Sequence, residues 1–254
     1  MRINLPRKKR WLIIIVILAI IATVYLNRVY SHIYQVIGAA DLKPVAGGEA
    51  YVINNMITEN SLVYAALGDS LTAGAGADKP EEYLPYLLAQ NFGGPDKKII
   101  LKNYSVPGAK TEDLVVSFLP LAIKDNPEIV TVLIGINDIH DFVSPADFRN
   151  NYETILSRLT AETKAKVYVI NIPFIGADEL IGQPYRFYFK QKINKYNEII
   201  KELAAKYSAG YVDLYTSTFS LLRQSGDHYS IDLFHPSASG YKIWADIIYA
   251  DINK

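Results

Sequence analysis

Short apolar segments alternate with amphipathic ones along most of this 254-residue chain. Five of the apolar segments have the length and the β-branched content of buried strands. They cover residues 63–67, 98–103, 128–134, 166–172 and 211–214. Between these segments, and after the last one, apolar residues recur at helical spacing over 111–123, 145–159, 188–207 and 237–252. Such alternation predicts an α/β fold with a mostly parallel, five-stranded sheet that helices cover on both faces.

A basic cluster at residues 7–10 precedes an uncharged apolar run over 11–26. A helix of that length spans about 24 Å, slightly less than a hydrocarbon core of about 30 Å. Arg28 can snorkel to the interface and make up the difference. Positive charge before the span keeps the N-terminus cytoplasmic. We therefore expect a cytoplasmic segment over 1–10 and an uncleaved transmembrane signal-anchor over 11–28, with the rest of the chain outside.

A cleaved signal peptide is the alternative to an anchor. Small residues at 38–40 would suit a signal peptidase, but they lie well beyond the apolar run, which is itself longer than a usual signal core. These features favour the anchor. The remaining organisation is then a stalk or lead-in over 29–60 and one folded domain over 61–254.

The charge distribution is uneven although the formal net charge is zero. Six of the 26 basic residues lie within 1–40, which holds no acidic residue, so the remainder carries 20 basic and 26 acidic residues. A mildly acidic domain offers no surface for nucleic acid. The chain has no cysteine, which excludes disulfides and thiolate metal sites, and no HExxH pattern points to a catalytic metal. We expect no metal, no cofactor and no nucleic-acid partner.

Four short motifs follow the strands or precede the last helix. Residues 68–72 (Gly-Asp-Ser-Leu-Thr) come after the first strand, Gly108 after the second, and 135–138 (Gly-Ile-Asn-Asp) after the third. Residues 232–236 (Asp-Leu-Phe-His-Pro) come just before the closing helix. Because ligands bind beyond the carboxyl ends of parallel strands, these motifs are expected to form one site.

Three side chains in these motifs suit nucleophilic attack on an ester carbonyl. A serine hydroxyl is a poor nucleophile unless an imidazole takes its proton and a carboxylate holds that imidazole in the right tautomer. Asp232 lies three residues before His235, a spacing that can join the two side chains. We assign Ser70 as the nucleophile, His235 as general base and then acid, and Asp232 as the residue that orients the imidazole.

The tetrahedral intermediate of such an attack needs donors aimed at its oxyanion. The candidates are the backbone N–H groups of Ser70 and Gly108 and the side-chain amide of Asn137. The neighbouring carboxylates have structural interpretations: Asp69 can cap the helix after Ser70, and Asp138 can brace the loop that carries Asn137.

Each of these residues, taken alone, has an ordinary interpretation. A serine after a strand is usually a helix cap, and a lone glycine or an Asn-Asp pair is usually part of a turn. A histidine before proline is often a cap or a core residue. Their occurrence together and in this order favours a hydrolytic site. Of the other histidines, His140 either lines the pocket or is a loop residue, His228 lacks a suitable carboxylate spacing, and His32 lies in the stalk.

The motifs resemble those of the SGNH, or GDSL-type, hydrolase family over roughly residues 62–250. The blocks that carry the resemblance are 68–72, 103–109, 135–138, and 232–236 with Gly240-Tyr241 after it. Pro107 directly before Gly108 is a small departure from the family pattern. The resemblance implies a flavodoxin-like three-layer α/β/α sandwich and lipase, esterase or thioesterase chemistry without a metal.

The anchored form is similar to lipase/acylhydrolase proteins of Gram-positive bacteria. That similarity implies a single-pass membrane protein with an extracellular catalytic domain, which we expect to be a monomer. The predicted partners are an acyl ester substrate and the membrane around the N-terminal helix.

The substrate is left open by the sequence. An esterase or lipase acting on acyl esters, membrane lipids included, is the first hypothesis. An O-deacetylase of cell-wall or secreted polysaccharide is the second, and a tethered binding module without catalysis is the third. Residues 173–187 form a loop with apolar and aromatic members that either covers an acyl chain or simply connects two elements.

Overall fold

A six-stranded sheet forms the centre of the protein in a computed structural model that describes residues 6–46, 50–53, 61–93, 97–219 and 227–254. The strands are β1 (Ala50–Ile53), β2 (Ser61–Gly68), β3 (Lys98–Ser105), β4 (Ile129–Leu133), β5 (Lys166–Ile170) and β6 (Gly210–Val212). Their order across the sheet is β1-β3-β2-β4-β5-β6. Every neighbouring pair is parallel except β1 and β3.

The prediction of five strands was one short. The additional strand, β1, pairs antiparallel with β3 at the edge of the sheet and buries Ile53 beside Ile99. It is only four residues long and lies in the segment 29–60 that was expected to be a lead-in. So short a run carries too little periodicity to be distinguished from an extended linker.

The helices complete the α/β pattern. They are α1 (Arg7–Ala39), α2 (Ser70–Ala73), α3 (Leu84–Gly93), α4 (Thr111–Asp113), α5 (Leu119–Lys124), α6 (Ile136–His140), α7 (Pro145–Glu162), α8 (Tyr185–Lys206), α9 (Leu214–Phe219) and α10 (Ala238–Ile252). The helix predicted over 111–123 is divided, because a π-helical turn at Leu114–Phe118 separates α4 from α5. The other three predicted helices are confirmed with small shifts at their ends.

Helices cover both faces of the sheet. The four consecutive residues of β2 from Tyr64 to Leu67 are all 0% exposed, and successive side chains of a strand point to opposite faces. Two groups of helices supply the cover: α3 packs beside α10, and α7 packs against both α5 and α8. The result is a three-layer sandwich, as predicted.

The strand register brings three carboxyl ends to one level. Gly68, the last residue of β2, is aligned with Ser105 at the end of β3 and with Leu133 at the end of β4. β3 and β4 lie on opposite sides of β2. The connection from β2 to β3 and the connection from β3 to β4 therefore run in opposite directions across the sheet. Such a switch point leaves a crevice at the strand ends, where ligands bind in open α/β sheets.

The N-terminal helix α1 contains the predicted anchor and extends beyond it. It is long and apolar enough to cross a membrane, and none of its most apolar stretch is buried in the protein. Its last turns instead contact the folded domain, where Ile33 is 3% exposed. Parts of the predicted cytoplasmic segment (residues 1–5) and lead-in (residues 47–49 and 54–60) lie outside the described residues.

Candidate active site

Ser70 is the first residue of α2, which begins directly after β2. Asp69 caps this helix, because its carboxylate accepts the N–H of Leu71 at 3.0 Å. A Cβ at position 68 would overlap both the Thr72 side chain and the Leu133 carbonyl oxygen. Glycine there lets the helix turn back tightly over the strand ends, and Ser70 is fixed at the edge of the crevice.

Asp232 organises the loop that carries His235. Its Oδ1 atom accepts the Ser230 hydroxyl at 2.7 Å and the N–H groups of Phe234 and His235 at 2.9 Å each. Three donors on one oxygen hold the carboxylate in a single orientation. The Oδ2 atom is left to accept the imidazole.

The three side chains predicted to cooperate form one hydrogen-bonded chain. His235 Nδ1 lies 2.6 Å from Asp232 Oδ2, and His235 Nε2 lies 2.9 Å from Ser70 Oγ. Burial raises the pKa of the Asp232 carboxyl, but the hydrogen bonds from His235, Ser230 and Phe234 outweigh it and hold the pKa below its usual value. Asp232 is therefore ionised at neutral pH and accepts a hydrogen bond from the Nδ1–H group of His235. The unprotonated Nε2 atom then faces the Ser70 hydroxyl.

Asn137 in α6 and Gly108 in the loop after β3 lie at the same edge of the sheet. The Asn137 amide donates a hydrogen bond to the Ala109 carbonyl at 3.0 Å, which ties the start of α6 to the loop after β3. One amide hydrogen is used in this way, and the amide has a second. Gly108 has φ +80°, a left-handed conformation that favours glycine, and a Cβ there would meet only open space. The backbone at Gly108 is thus accessible to a ligand.

The carboxylate of the asparagine motif, Asp138, supports the helix that carries Asn137. Asp138 is fully buried and accepts the Thr111 N–H at 3.0 Å and the Thr111 hydroxyl at 2.5 Å. It fixes α6 against α4, as predicted for this residue. Thr111 and Ser230 are supporting residues that the sequence reasoning missed. Ser230 lies two residues before Asp232, a spacing typical of local side-chain hydrogen bonds.

The Asp69 carboxyl is also fully buried, but it is poorly compensated. Burial and, to a smaller extent, the nearby charge of Asp138 raise its pKa to about 7, against the hydrogen bond from Leu71. Among the described residues, its Oδ2 atom has no hydrogen-bond partner. A charged form of this side chain is therefore costly in the folded protein.

His140, at the end of α6, lines an apolar cavity of about 330 Å³ rather than lying in a simple loop. The cavity is bounded by Tyr30, Ile139, His140, Phe142, Tyr185, Tyr188 and Phe189. Burial lowers the His140 pKa to about 4, so the ring is neutral at physiological pH. Its ring centroid lies 5.8 Å from that of Phe234, which in turn lies 5.0 Å from that of His235.

The remaining histidines take no part in this chain of hydrogen bonds, and the loop before α8 contacts the His235 loop through its backbone, where the Ala177 N–H donates to the Leu233 carbonyl at 2.8 Å. His32 is exposed on α1, and the backbone carbonyl of His228 accepts the Ser237 N–H. Apolar residues of the loop over 173–184 are buried in the core, including Phe174 and Ile175. They favour the simple connection over a cover for an acyl chain.

Residues 66–243 match the model of the GDSL-like lipase/acylhydrolase family. This range is most of the chain and contains all of the predicted site residues. It begins inside β2 and ends inside α10, so the match covers the parallel part of the sheet and every motif at its edge.

The sequence identity to two curated relatives is below 30%. A multidomain esterase of Ruminococcus flavefaciens is 27% identical over 220 residues, which cover 72% of this chain and only 28% of that protein. An acetylxylan esterase of Geobacillus stearothermophilus is 26% identical over 209 residues, covering 73% of this chain and 91% of that protein. The crystal structure of a lipase/acylhydrolase from Enterococcus faecalis shares the fold, with a TM-score of 0.60 and 24% identity over 75% of this chain and 95% of that one.

The raised pKa of Asp69 predicts how stability varies with pH. The folded protein holds a proton on this group up to about pH 7, whereas the unfolded chain releases it near 4. The contribution to stability is thus present below pH 4 and is lost as the pH rises through 7. We expect Asp69→Asn to raise the melting temperature at pH 8 and to flatten its fall between pH 5 and 8.

The matched control is Asp246→Asn, which changes an exposed carboxylate on α10. Thermal unfolding of the full chain in detergent gives the measurement. An equal pH dependence in wild type and Asp69→Asn would contradict the prediction.

Proposed function

Because the chain belongs to the GDSL-like lipase/acylhydrolase family, a family of carboxylic ester hydrolases, we propose that it cleaves acyl esters with Ser70 as the nucleophile. The observation that carries this assignment is the 2.9 Å separation between Ser70 Oγ and His235 Nε2. Proton transfer between those atoms needs no rearrangement of the protein.

The reaction proceeds in two halves. His235 Nε2 takes the hydroxyl proton as Ser70 Oγ bonds to the ester carbonyl carbon. The imidazolium then gives that proton to the leaving alcohol oxygen as the carbon–oxygen bond breaks, and an acyl-serine remains. Water, activated by the same nitrogen, releases the acid and regenerates the serine. Asp232 stays ionised throughout and stabilises the imidazolium.

Three donors are proposed to stabilise the oxyanion of each tetrahedral intermediate. The N–H of Ser70 lies in the first turn of α2, where backbone N–H groups have no partner within the helix. The N–H of Gly108 lies in an open, left-handed turn, and the second amide hydrogen of Asn137 completes the set. All three come from the segments that directly follow the ends of β2, β3 and β4.

The acyl group has two candidate sizes. An acetyl group, with a polysaccharide as the leaving alcohol, is favoured by the relative named acetylxylan esterase. A longer chain is favoured by the apolar cavity next to His140. A series of esters that differ only in acyl length separates an O-deacetylase from a lipase or esterase.

We further propose that α1 anchors the enzyme with its catalytic domain outside the cell. The exposed apolar surface of α1 and the basic residues at 7–10 support this arrangement. The esters within reach of the catalytic domain are then those at the outer face of the cell membrane or in the cell wall beyond it.

The nucleophile and the base are tested by truncation of each. Ser70→Ala and His235→Ala should each lower kcat for p-nitrophenyl acetate by at least about 10³-fold, because the serine and the histidine act as a unit and neither is effective without the other. Ser217→Ala and His32→Ala are matched controls, because both side chains are exposed and lie outside the four motifs. Retention of most activity by either Ser70→Ala or His235→Ala would refute the assignment.

The side-chain donor of the oxyanion site is tested separately. Removal of one such donor typically lowers kcat by about 10²–10³-fold, and we expect Asn137→Ala to do so with little change in KM. The control is Asn194→Ala, which removes the same side chain from a partly exposed position on α8. A proportional rise in KM at constant kcat would instead indicate ground-state binding.

The orientation in the membrane is tested with single cysteines, since the chain has none of its own. In intact cells of a Gram-positive host, a membrane-impermeant maleimide should label Lys254→Cys but not Lys8→Cys. Both variants should be labelled after lysis. Labelling of Lys8→Cys alone in intact cells would reverse the proposed topology.

A further inference from the structure

Two neighbouring cavities lie between the anchor helix and α6, the short helix that carries Asn137. The cavity of about 330 Å³ at His140 and a second of about 400 Å³ share Tyr30 and Tyr185 in their walls. The second is lined otherwise by Thr23, Val24, Leu26 and Asn27. We call the two together the anchor groove. It begins beside the apolar stretch of α1 and ends at α6.

The anchor helix supplies one wall of this groove. Tyr30 lies about one helical turn after Leu26, the end of the uncharged run. Its ring centroid lies 5.6 Å from that of Tyr185, and the Tyr185 hydroxyl donates to the Leu26 carbonyl at 2.9 Å. The groove is therefore a joint product of α1 and α8, and it starts where the membrane-spanning part of α1 ends.

The rim of the groove is apolar and exposed. Of the residues that line it, Phe142 is 69% exposed and Tyr188 is 36% exposed. Exposed aromatic residues gathered beside a membrane-spanning helix suit the membrane interface. The groove then opens toward lipid rather than toward water.

The rings of His140 and Phe234 lie between the inner end of the groove and His235. His140 lies on the same short helix as Asn137, the proposed oxyanion donor, and it separates the groove from Phe234 and His235. The His140 ring is neutral, so it adds no charge that would repel an aliphatic chain. Apolar walls with few polar groups are typical of sites that bind apolar ligands.

We infer that the anchor groove binds the aliphatic chain of an amphiphilic ester taken from the leaflet around α1. The aliphatic tail would lie beside Leu26 and Tyr30, and the ester end of the substrate would lie near His140, directed toward Ser70. The inference rests on the proposed ester hydrolysis and specifies its substrate class as long-chain esters of a membrane surface. It also gives α1 a second role, as part of the substrate site.

The kinetic test compares acetyl and dodecanoyl p-nitrophenyl esters on the full chain in nanodiscs. Tyr30→Ala should lower kcat/KM for the dodecanoyl ester by about tenfold, which corresponds to ~1.4 kcal/mol, and leave the acetyl ester within twofold. Tyr25→Ala is the matched control, because it removes the same side chain from α1 at a position outside both cavities. Equal effects on both esters would overturn the inference.

A second variant guards against a folding defect in Tyr30→Ala. Phe142 is exposed and has φ +57°, a conformation that asparagine tolerates well. Phe142→Asn should therefore fold, and it should also lower only the dodecanoyl activity. Val116→Asn, at the same 69% exposure on another surface, is its control. A change of oligomeric state with an unaltered chain-length profile would show that the groove holds a second copy instead.

A binding measurement separates failure of this inference from failure of the proposed reaction. A fatty acid that carries a diazirine close to its carboxyl group should photolabel Phe142 or Phe189 in the full chain, and Tyr30→Ala should reduce that labelling. This result does not depend on turnover, so it supports the groove even if no ester is hydrolysed. Labelling confined to residues 11–26 would overturn the inference whatever the activity.

Discussion

The alignment of three strand ends is the constraint on which the site depends. Because Gly68, Ser105 and Leu133 share one register, the loops that follow β2, β3 and β4 leave the sheet at one level. Ser70, Gly108 and Asn137 lie two to four residues beyond those ends, too few for the loops to diverge. A slip of one residue in β3 or β4 would turn every side chain of that strand to the other face and would move its loop out of the site.

The fourth loop comes from the far end of the chain and is positioned by electrostatics rather than by the sheet. Asp232 collects three hydrogen bonds on one oxygen and the imidazole on the other, so a single buried charge sets both the shape of the loop and the direction of His235. The low pKa of that carboxyl reflects the same bonds. Asp69 shows the opposite balance, since one hydrogen bond does not compensate its burial. Two buried carboxylates near one serine therefore differ in charge because their donors differ in number.

The sequence predicted the parallel sheet, most helix positions and the approach of Ser70, His235 and Asp232 to one another. The sheet and the helices depend on local patterns, such as β-branched runs and Ser144-Pro145 at the start of α7. The approach of the three side chains was predicted from motifs at strand ends and before the last helix. The sequence did not predict β1, whose four residues are recognisable only by their pairing with β3. The support of Asp138 by Thr111 spans 27 residues and leaves no local trace. The packing of Tyr30 against Tyr185 spans a still longer stretch of chain, so the anchor groove could not be foreseen from periodicity or motif.

The most direct test of the account is to find which residue a fluorophosphonate modifies in the full-length protein. A serine forms a stable phosphonyl adduct only where a base removes its proton and donors hold the resulting oxyanion. Peptide mapping by mass spectrometry should place the adduct on Ser70, with no adduct when the protein is first unfolded. An adduct on a different serine, with Ser70 unmodified in the folded protein, would contradict the central claim.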